Sequence, residues 1–130
     1  MIVDTSALVA ILRGEADAEL FIDALAAEAD PRVSAAMLVE TAAVVDANRD
    51  PVLSRRLDEL LEASGVQVEP LTEEHARIAR QAYRDFGKGS GHAAGLNLGD
   101  CFAYALAAAT GEPLLFKGND FSETDLTPAL

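Results

Sequence analysis

Short apolar or alternating segments separate longer stretches in which apolar residues recur every three or four positions. The short segments are typical of β-strands, and the longer stretches are typical of amphipathic helices. Strands are predicted at 1–3, 32–34, 66–69 and 113–117, with a short edge strand at 126–127. Helices are predicted from Asp4 to Gly14, at 15–29, 34–48 and 51–63, from Thr72 onwards and from Leu98 to Gly111. This alternation predicts an α/β fold with a central, mostly parallel sheet flanked by helices.

The stretch 96–121 places an acidic residue at each end of one helix–strand unit. Asn97 is expected to cap the helix by accepting a hydrogen bond from the amide of Asp100, which puts the Asp100 carboxylate in the first turn. After the following strand, a Gly-Asn turn leads directly to Asp120. Two carboxylates are therefore predicted where one helix begins and one strand ends.

A third carboxylate, Asp4, directly follows the first predicted strand. It has two interpretations at this point. Asp4 is suited to cap the next helix, although Thr5 or Ser6 would serve equally well there. It also lies at the carboxyl end of a strand, where open α/β sheets bind their ligands.

Glu40 lies on the third predicted helix among apolar residues spaced three and four positions away, namely Ala36, Met37, Ala43 and Val44. A carboxylate buried in such a stripe must either take up a proton or find a cation, because burying it alone costs several kcal/mol. The alternative is that the stripe is partly exposed and Glu40 is solvated.

The length of 130 residues, with no visible linker, predicts a single domain spanning 1–130. No apolar run approaches the roughly 20 residues of a membrane span, and the start resembles no signal peptide, so we expect no membrane contact and a cytoplasmic location. The single cysteine, Cys101, is expected to fill the core.

The formal net charge is −12, which argues against a protein that coats nucleic acid by bulk attraction. It does not exclude a nuclease, because acids gathered at one site bind divalent cations that then attract phosphate. Arg77, Arg80 and Arg84 nevertheless form a basic stripe on the fifth predicted helix. The stripe is suited either to guide a phosphate backbone or to pair with acids of its own helix, such as Glu73.

The segment 87–95, GKGSGHAAG, is rich in glycine and predicts a flexible loop. It lacks the strand–loop–helix setting and the Gly-Lys-Ser/Thr ending of a phosphate-binding P-loop, so it is not interpreted as a nucleotide site. His75 has no histidine or cysteine at metal spacing, which argues against zinc.

Acidic residues at strand ends, helix starts and apolar helix faces are the strongest chemical signal of the chain. Oxygen ligands in this number, without histidine or cysteine, favour Mg²⁺ or Mn²⁺. Such an ion activates water and stabilises the charge that develops on a phosphate under attack. The pattern is typical of a metal-dependent phosphodiesterase.

The chain resembles the PIN-domain ribonucleases, in particular the VapC toxins of VapBC toxin–antitoxin pairs. The blocks that carry the resemblance occur in the family's order and at similar spacing, and they are MIVDTSAL, SAAMLVE, LNLGDCFAYALA and LLFKGNDFSETDL. The resemblance covers essentially the whole chain. It implies a PIN-like three-layer α/β/α domain and an endoribonuclease that is the toxin of a type II toxin–antitoxin system.

The resemblance also implies roles for individual residues. The acids that hold one or two Mg²⁺ or Mn²⁺ ions for RNA cleavage are Asp4, Glu40, Asp100 and Asp120. Ser6 and Asn119 are the implied polar neighbours, and Asp125 is a nearby alternative to Asp120. The family further implies a homodimer and a cognate VapB-type antitoxin whose basic or polar tail occupies the acidic groove, which agrees with the negative charge.

The sequence has three alternative functional interpretations. A phosphorelay receiver needs an acceptor aspartate after its central strand, but the corresponding strand here ends Val68-Glu69-Pro70. A haloacid-dehalogenase-type phosphatase needs Asp-x-Asp after the first strand, and the residues after Asp4 do not supply it. A PIN domain that only binds other proteins is the third alternative.

Overall fold

The computed structural model describes residues 1–130, and all the predicted strands and helices before the tail are present with ends shifted by a few residues. In chain order the elements are β1 (Ile2–Val3), α1 (Thr5–Leu12), α2 (Ala18–Ala27), β2 (Arg32–Ser34), α3 (Ala35–Asp46), α4 (Pro51–Ala63), β3 (Gln67–Glu69), α5 (Glu73–Phe86), α6 (Leu98–Thr110) and β4 (Leu114–Leu115).

The four strands form one parallel sheet in the order β3-β2-β1-β4. Ile2 of β1 pairs with Arg32 on one side and with Leu114 on the other, which makes β1 an inner strand. The tail adds a single parallel bridge between Leu114 and Pro128 at the β4 edge, so the edge strand predicted at 126–127 is reduced to one bridge. The predicted α/β fold, with a parallel sheet flanked by helices, is confirmed.

Helix α6 supplies the largest share of the core. It contacts β1, β2 and β4, and α5 packs against it. Six of the seven residues from Cys101 to Ala107 are buried, and the exception is Phe102. Gly111 ends the helix in the left-handed conformation, with φ 70°, a geometry that glycine adopts without strain. The first turn of α6 is therefore held firmly against the sheet.

Helical spacing predicts two buried stripes that are only partly correct: Ala18, Phe21, Ile22 and Leu25 on α2, and Leu53, Leu57, Leu60 and Leu61 on α4. Ile22 of α2 is 45% exposed, whereas its neighbours Phe21 and Leu25 are buried. On α4 only Leu57 is fully buried. Both helices lie at the outside of the domain, where one layer of apolar side chains is enough to attach them.

Because all strands are parallel, their carboxyl ends meet at one edge of the sheet. Asp4 follows β1 at this edge, and Ser34 ends β2 there, two residues beyond the Ile2–Arg32 pair on each strand. This edge is where the site described below is built. None of the helices has the length and apolar character needed to cross a membrane.

Candidate metal centre

Four carboxylates from four parts of the chain share the carboxyl edge of the sheet, and we call them the acidic site. Their mutual influence is electrostatic, since the pKa of Asp100 is raised by Asp4 and Asp120, and that of Glu40 is raised by Asp100. The acids come from the end of β1, the middle of α3, the first turn of α6 and the turn after β4; they are Asp4, Glu40, Asp100 and Asp120.

Asp4 is the most buried of these acids, at 4% exposed. It caps α1, as one of its two interpretations predicts: its Oδ2 atom accepts from the Ser6 amide at 2.9 Å and from the Ser6 hydroxyl at 2.6 Å. Burial raises the pKa of Asp4 above its ordinary value and the Glu40 charge adds to this, although the hydrogen bonds from Ser6 oppose the shift. Capping and participation in the acidic site are thus compatible for this residue.

Ser6 connects Asp4 to the neighbouring strand. Its hydroxyl donates to Asp4 and accepts from the backbone N–H of Lys117 at 2.9 Å, just beyond β4. The Lys117 side chain points elsewhere and pairs with Glu15 at 2.6 Å and Asp17 at 2.9 Å. Ser6 therefore fixes the orientation of the Asp4 carboxylate relative to two strands.

Asp100 lies in the first turn of α6 and is 9% exposed. The predicted capping by Asn97 is confirmed and is reciprocal, because Asp100 Oδ2 also accepts from the Asn97 amide at 3.0 Å. Burial is the main cause that raises the pKa of Asp100 to about 6; the bond from Asn97 and the Lys88 charge oppose it, and the Asp4 and Asp120 charges reinforce it. Near neutral pH this carboxyl group is mostly ionised but readily takes up a proton.

Glu40 is half-buried, and the reason predicted for its burial is only partly correct. Met37 is buried as expected, but Ala43 and Val44 are exposed, so the apolar stripe ends at Glu40. Its carboxylate instead lies directly against the α-carbon of Gly99 on α6. Burial and the Asp100 charge raise the pKa of Glu40. The alternative is correct in part, because the stripe is partly exposed and Glu40 itself keeps some contact with solvent.

A buried threonine fixes the helix that carries Glu40. The hydroxyl groups of Thr5 and Thr41 lie 2.7 Å apart, which joins the start of α1 to α3. Thr41 also donates to the Met37 carbonyl oxygen at 3.0 Å. Because Thr5 follows Asp4 and Thr41 follows Glu40, this bond holds two acids of the site at a set separation.

The fourth acid is exposed. Asp120 follows the turn at Gly118-Asn119, and neither Asn119 nor Asp120 makes a side-chain hydrogen bond. The alternative acid Asp125 accepts from the Tyr104 hydroxyl at 2.6 Å, and the pKa of Tyr104 is raised mainly by burial and further by this partner. Asp125 therefore faces Tyr104, whereas Asp120 acts on Asp100.

The basic stripe of α5 is present on the surface, and all three arginines are exposed. Arg77 pairs with Glu73 at 2.6 Å and Arg84 with Asp85 at 3.3 Å, whereas Arg80 makes no ion pair. Together with Gln81 they line a shallow hollow of about 220 Å³. Lys88, whose charge acts on Asp100, follows this stripe along the chain toward the acidic site. The predicted pairing within the helix is confirmed for Arg77 and Glu73, whereas contact of the stripe with a phosphate backbone stays a prediction.

The donor chemistry of the acidic site fits a hard divalent cation. None of its acids makes an ion pair, and Asp4 and Asp100 each use only one carboxylate oxygen in hydrogen bonds. The Ser34 hydroxyl, in a residue 1% exposed at the same edge, is buried without a hydrogen-bond partner. No three acidic, histidine or cysteine side chains are arranged to hold one ion, so the acids share an edge without closing around a common point.

Gly99, Ser34 and Thr41 are contributors to this edge that the sequence pattern did not identify. Ser34 was expected to cap α3, and it occupies the N-cap position but makes no capping bond. A glycine inside a helix carried a signal, since glycine is a poor helix former and its presence in the first turn of α6 needs a reason. For Thr41 we find no such signal in the sequence.

Comparison with known proteins supports one family. The model of the PIN domain matches residues 1–126 of the chain. The ribonuclease VapC28 of Mycobacterium tuberculosis is similar to the chain, with 59% identity over 130 residues that cover 100% of this chain and 98% of the relative.

Two solved structures share the fold. Mycobacterium tuberculosis VapC20, described as a toxin that cleaves the sarcin–ricin loop, superposes with a TM-score of 0.75 and 19% identity over 97% of this chain and 95% of that chain. A chain of a toxin–antitoxin complex from Klebsiella pneumoniae gives a TM-score of 0.69 and 16% identity over 93% and 89%. At these identities the likeness concerns the fold alone.

Proposed function

This chain belongs to the PIN-domain family and, within it, to the VapC ribonucleases, and we propose that it is the toxin of a type II toxin–antitoxin pair that cleaves RNA with Mg²⁺ or Mn²⁺. The observation that carries the proposal is the acidic site itself. Four acids from distant parts of the sequence share one edge and have no paired cation, and burial together with the charges of neighbouring acids raises the pKa of Asp4, Glu40 and Asp100. Such repulsion is relieved by a divalent cation.

Different residues orient the carboxylates of the acidic site and leave their oxygens free for a cation. Asp4, oriented by Ser6, and Asp100, oriented by Asn97, each keep one carboxylate oxygen free of hydrogen bonds. These oxygens, with the carboxylates of Glu40 and Asp120, would hold the ion. A bound Mg²⁺ or Mn²⁺ supplies activation of water and neutralises charge on the scissile phosphate.

The exposed acids and bases suggest how RNA reaches the site of a protein with net charge −12. We propose that phosphates contact the basic stripe, with Arg80 as the residue free of ion pairs. The pairs made by Arg77 and Arg84 are exposed and contribute only about 0.2–1 kcal/mol each, so phosphate can displace their carboxylate partners. We propose that Asn119, which is exposed beside Asp120, also contacts the substrate.

RNA cleavage tests the proposal directly. Purified protein is incubated with total RNA in chelator, Mg²⁺ or Mn²⁺, alongside Asp100→Asn and, as a matched control, Asp58→Asn on the exposed side of α4. We expect metal-dependent cleavage that falls at least about 100-fold in Asp100→Asn, since the metal supplies several kcal/mol to the transition state. Asp58→Asn should cleave as the wild type does.

Two results would contradict the proposal. Equal cleavage by Asp100→Asn would remove the acidic site from the reaction. Absence of cleavage by the wild type under every metal would instead favour the PIN domain that only binds other proteins.

We further propose that a cognate VapB-type antitoxin inhibits the chain by inserting a basic or polar segment into the acidic site. The support is charge complementarity with four uncompensated acids. The protein encoded next to this chain should abolish cleavage at a one-to-one ratio, and Asp120→Asn should weaken that complex more at low salt than at high salt.

A homodimer is the expected assembly of the free protein. Its support is the large apolar side chains that the single chain leaves exposed, among them Val39 at 70% and Leu98 at 59%, which flank two acids of the site in sequence. Analytical ultracentrifugation should give twice the chain mass of 13.7 kDa. A single species of chain mass at micromolar concentration would exclude it.

A further inference from the structure

Two helices of the acidic site meet at a residue without a side chain. Gly99 is buried in the first turn of α6, and a β-carbon built on it would overlap the Glu40 carboxylate of α3. The overlap involves both oxygens and the carboxyl carbon of Glu40. Any other residue at position 99 must therefore displace that carboxylate.

Backbone conformation does not explain this glycine. Seven other glycines of the chain have a positive φ, but Gly99 is not among them, and its helical backbone is one that any residue can adopt. Glycine in a helix is less favourable than alanine, so its presence here has a cost in helix propensity. Close approach of the Glu40 side chain is the remaining physical reason for glycine.

Glu40 has no other restraint on its position. Its carboxylate makes no hydrogen bond and no ion pair, whereas Asp4 and Asp100 are each oriented by hydrogen bonds. It also lies against the N-terminal turn of α6, where the helix dipole favours a negative charge. The space above Gly99 is thus what allows Glu40 to stand beside Asp100.

We propose that Gly99 is a positioning residue that admits the Glu40 carboxylate to the acidic site and so sets the site's affinity for a divalent cation. This inference rests on the proposed metal-dependent function. It predicts that a single methyl group at position 99 removes Glu40 from the site without changing any acid.

The test is a double-mutant cycle of Gly99→Ala and Glu40→Gln, read out by Mn²⁺ binding in calorimetry and by thermal melting in chelator. Gly99→Ala should weaken Mn²⁺ binding roughly tenfold or more, as loss of a supporting contact does at metal sites. The double variant should bind Mn²⁺ within about twofold of Glu40→Gln alone, because both changes remove the same ligand. Cleavage of RNA should follow the same order.

The shorter acid provides a rescue that a purely structural role would not give. In the Gly99→Ala background, Glu40→Asp withdraws the carboxylate by one methylene group and should recover part of the Mn²⁺ affinity. In wild-type background the same Glu40→Asp change should weaken binding. Glu40→Asp should thus change Mn²⁺ affinity in opposite directions in the two backgrounds, and this result is specific to a steric contact between positions 40 and 99.

Folding of the variant is checked separately. If Gly99→Ala does not fold, Glu40→Ala/Gly99→Ala should fold and melt at or above the temperature of Glu40→Ala alone, since the carboxylate is gone and alanine favours the helix. A double variant that still fails to fold overturns the inference.

Two further outcomes separate this inference from the proposed function. Unchanged Mn²⁺ affinity in a folded Gly99→Ala protein, with wild type binding Mn²⁺ and cleaving RNA, rejects only the role of Gly99. Wild type that binds no Mn²⁺ and cleaves no RNA rejects both.

Discussion

The acids near the two ends of the parallel sheet differ in whether the chain pairs them with a cation. At the start of β2, Arg32 pairs with Glu112, with Glu69 at 3.5 Å and with Asp30 at 3.8 Å, and we call this group the Arg32 cluster. At the carboxyl edge, the four acids of the acidic site have no paired cation. The chain supplies its own cation at one end and none at the other.

The Arg32 cluster contributes to the stability of the fold, whereas the acidic site lowers that stability and belongs to the proposed function. A fixed arginine contributes a cation that the folded chain always carries, and its planar head suits several carboxylates at once. Uncompensated acids instead weaken the metal-free fold, and binding of the proposed cation would offset that loss by an amount that grows with the logarithm of the metal concentration. Four predictions follow this contrast in order of decreasing effect.

Removing the fixed cation should have the largest effect on folding. Arg32→Met leaves the partly buried Glu69 without a charged partner and leaves Glu112 with only the N-terminal ammonium group of Met1, and we expect a loss of about 3 kcal/mol in the free energy of unfolding. Arg55→Met, which removes an exposed pair with Glu59, should cost less than about 1 kcal/mol. Urea unfolding in chelator measures both. A loss for Arg32→Met no larger than for Arg55→Met would contradict the contrast between fixed and exposed pairs.

The charge on Asp100 should produce the next largest effect, visible as a pH dependence. Because its pKa rises on folding to about 6, the folded state holds the proton more tightly than the unfolded state. The stability that the protonated Asp100 carboxyl group contributes is therefore complete below about pH 4 and is lost as the pH rises through 6. In chelator, Asp100→Asn should be more stable than the wild type by about 2 kcal/mol at pH 7, and by much less at pH 4.

Bound metal should reverse the order of stability of the wild type and Asp100→Asn. At pH 7 and millimolar Mn²⁺, the wild type should gain melting temperature and Asp100→Asn should not. Asp58→Asn serves as the control in both conditions. Parallel pH curves for wild type and Asp100→Asn would exclude an uncompensated carboxylate at this position.

Asp4 allows its two roles to be separated. Asp4→Asn keeps an oxygen that can cap α1 but removes the charge, whereas Asp4→Ala removes both. We expect Asp4→Ala to be less stable than Asp4→Asn by about 1 kcal/mol in chelator, which is the usual contribution of a cap. Both should lose Mn²⁺ binding, measured by calorimetry. Retained binding in Asp4→Asn would leave Asp4 with its capping role alone.

Glu40 should give the smallest effect on stability. Its charge is half-buried and repelled by Asp100, so Glu40→Gln should raise the melting temperature in chelator slightly, by less than about 1 kcal/mol in free energy. The gain should become smaller when Asp100 is already asparagine, but it should not vanish, because burial is the larger cause of the raised Glu40 pKa. A melting temperature below that of the wild type would mean that the Glu40 charge stabilises the fold through a contact other than Asp100.

The fold was predictable because its boundaries are local. Asn97 caps α6, Gly111 ends it, and Asp50 with Pro51 begins α4, and each device works through neighbouring residues. The exposure of Ile22 was not predictable, because helical spacing does not say which helices lie at the outside of a domain.

The acidic site was predictable where its acids follow the same local devices. Asp4 and Asp100 lie at a strand end and a helix start that the pattern itself defines. Glu40 was identified from a stripe that is in fact half exposed, and its true neighbour, Gly99, is 59 positions away along the chain. Contacts of that kind depend on how two helices cross, which periodicity does not contain.

The hydrogen-bonded chain from the Lys117 amide through the Ser6 hydroxyl to Asp4 gives the protein a built-in spectroscopic probe. A change in charge on the Asp4 carboxylate alters how strongly Ser6 donates to it, and hence how strongly Ser6 accepts from Lys117. In a ¹H–¹⁵N correlation spectrum, the Lys117 amide resonance should therefore move when Asp4 is protonated or meets a diamagnetic ion such as Mg²⁺. A single backbone signal can thus report occupancy at the carboxyl edge without RNA.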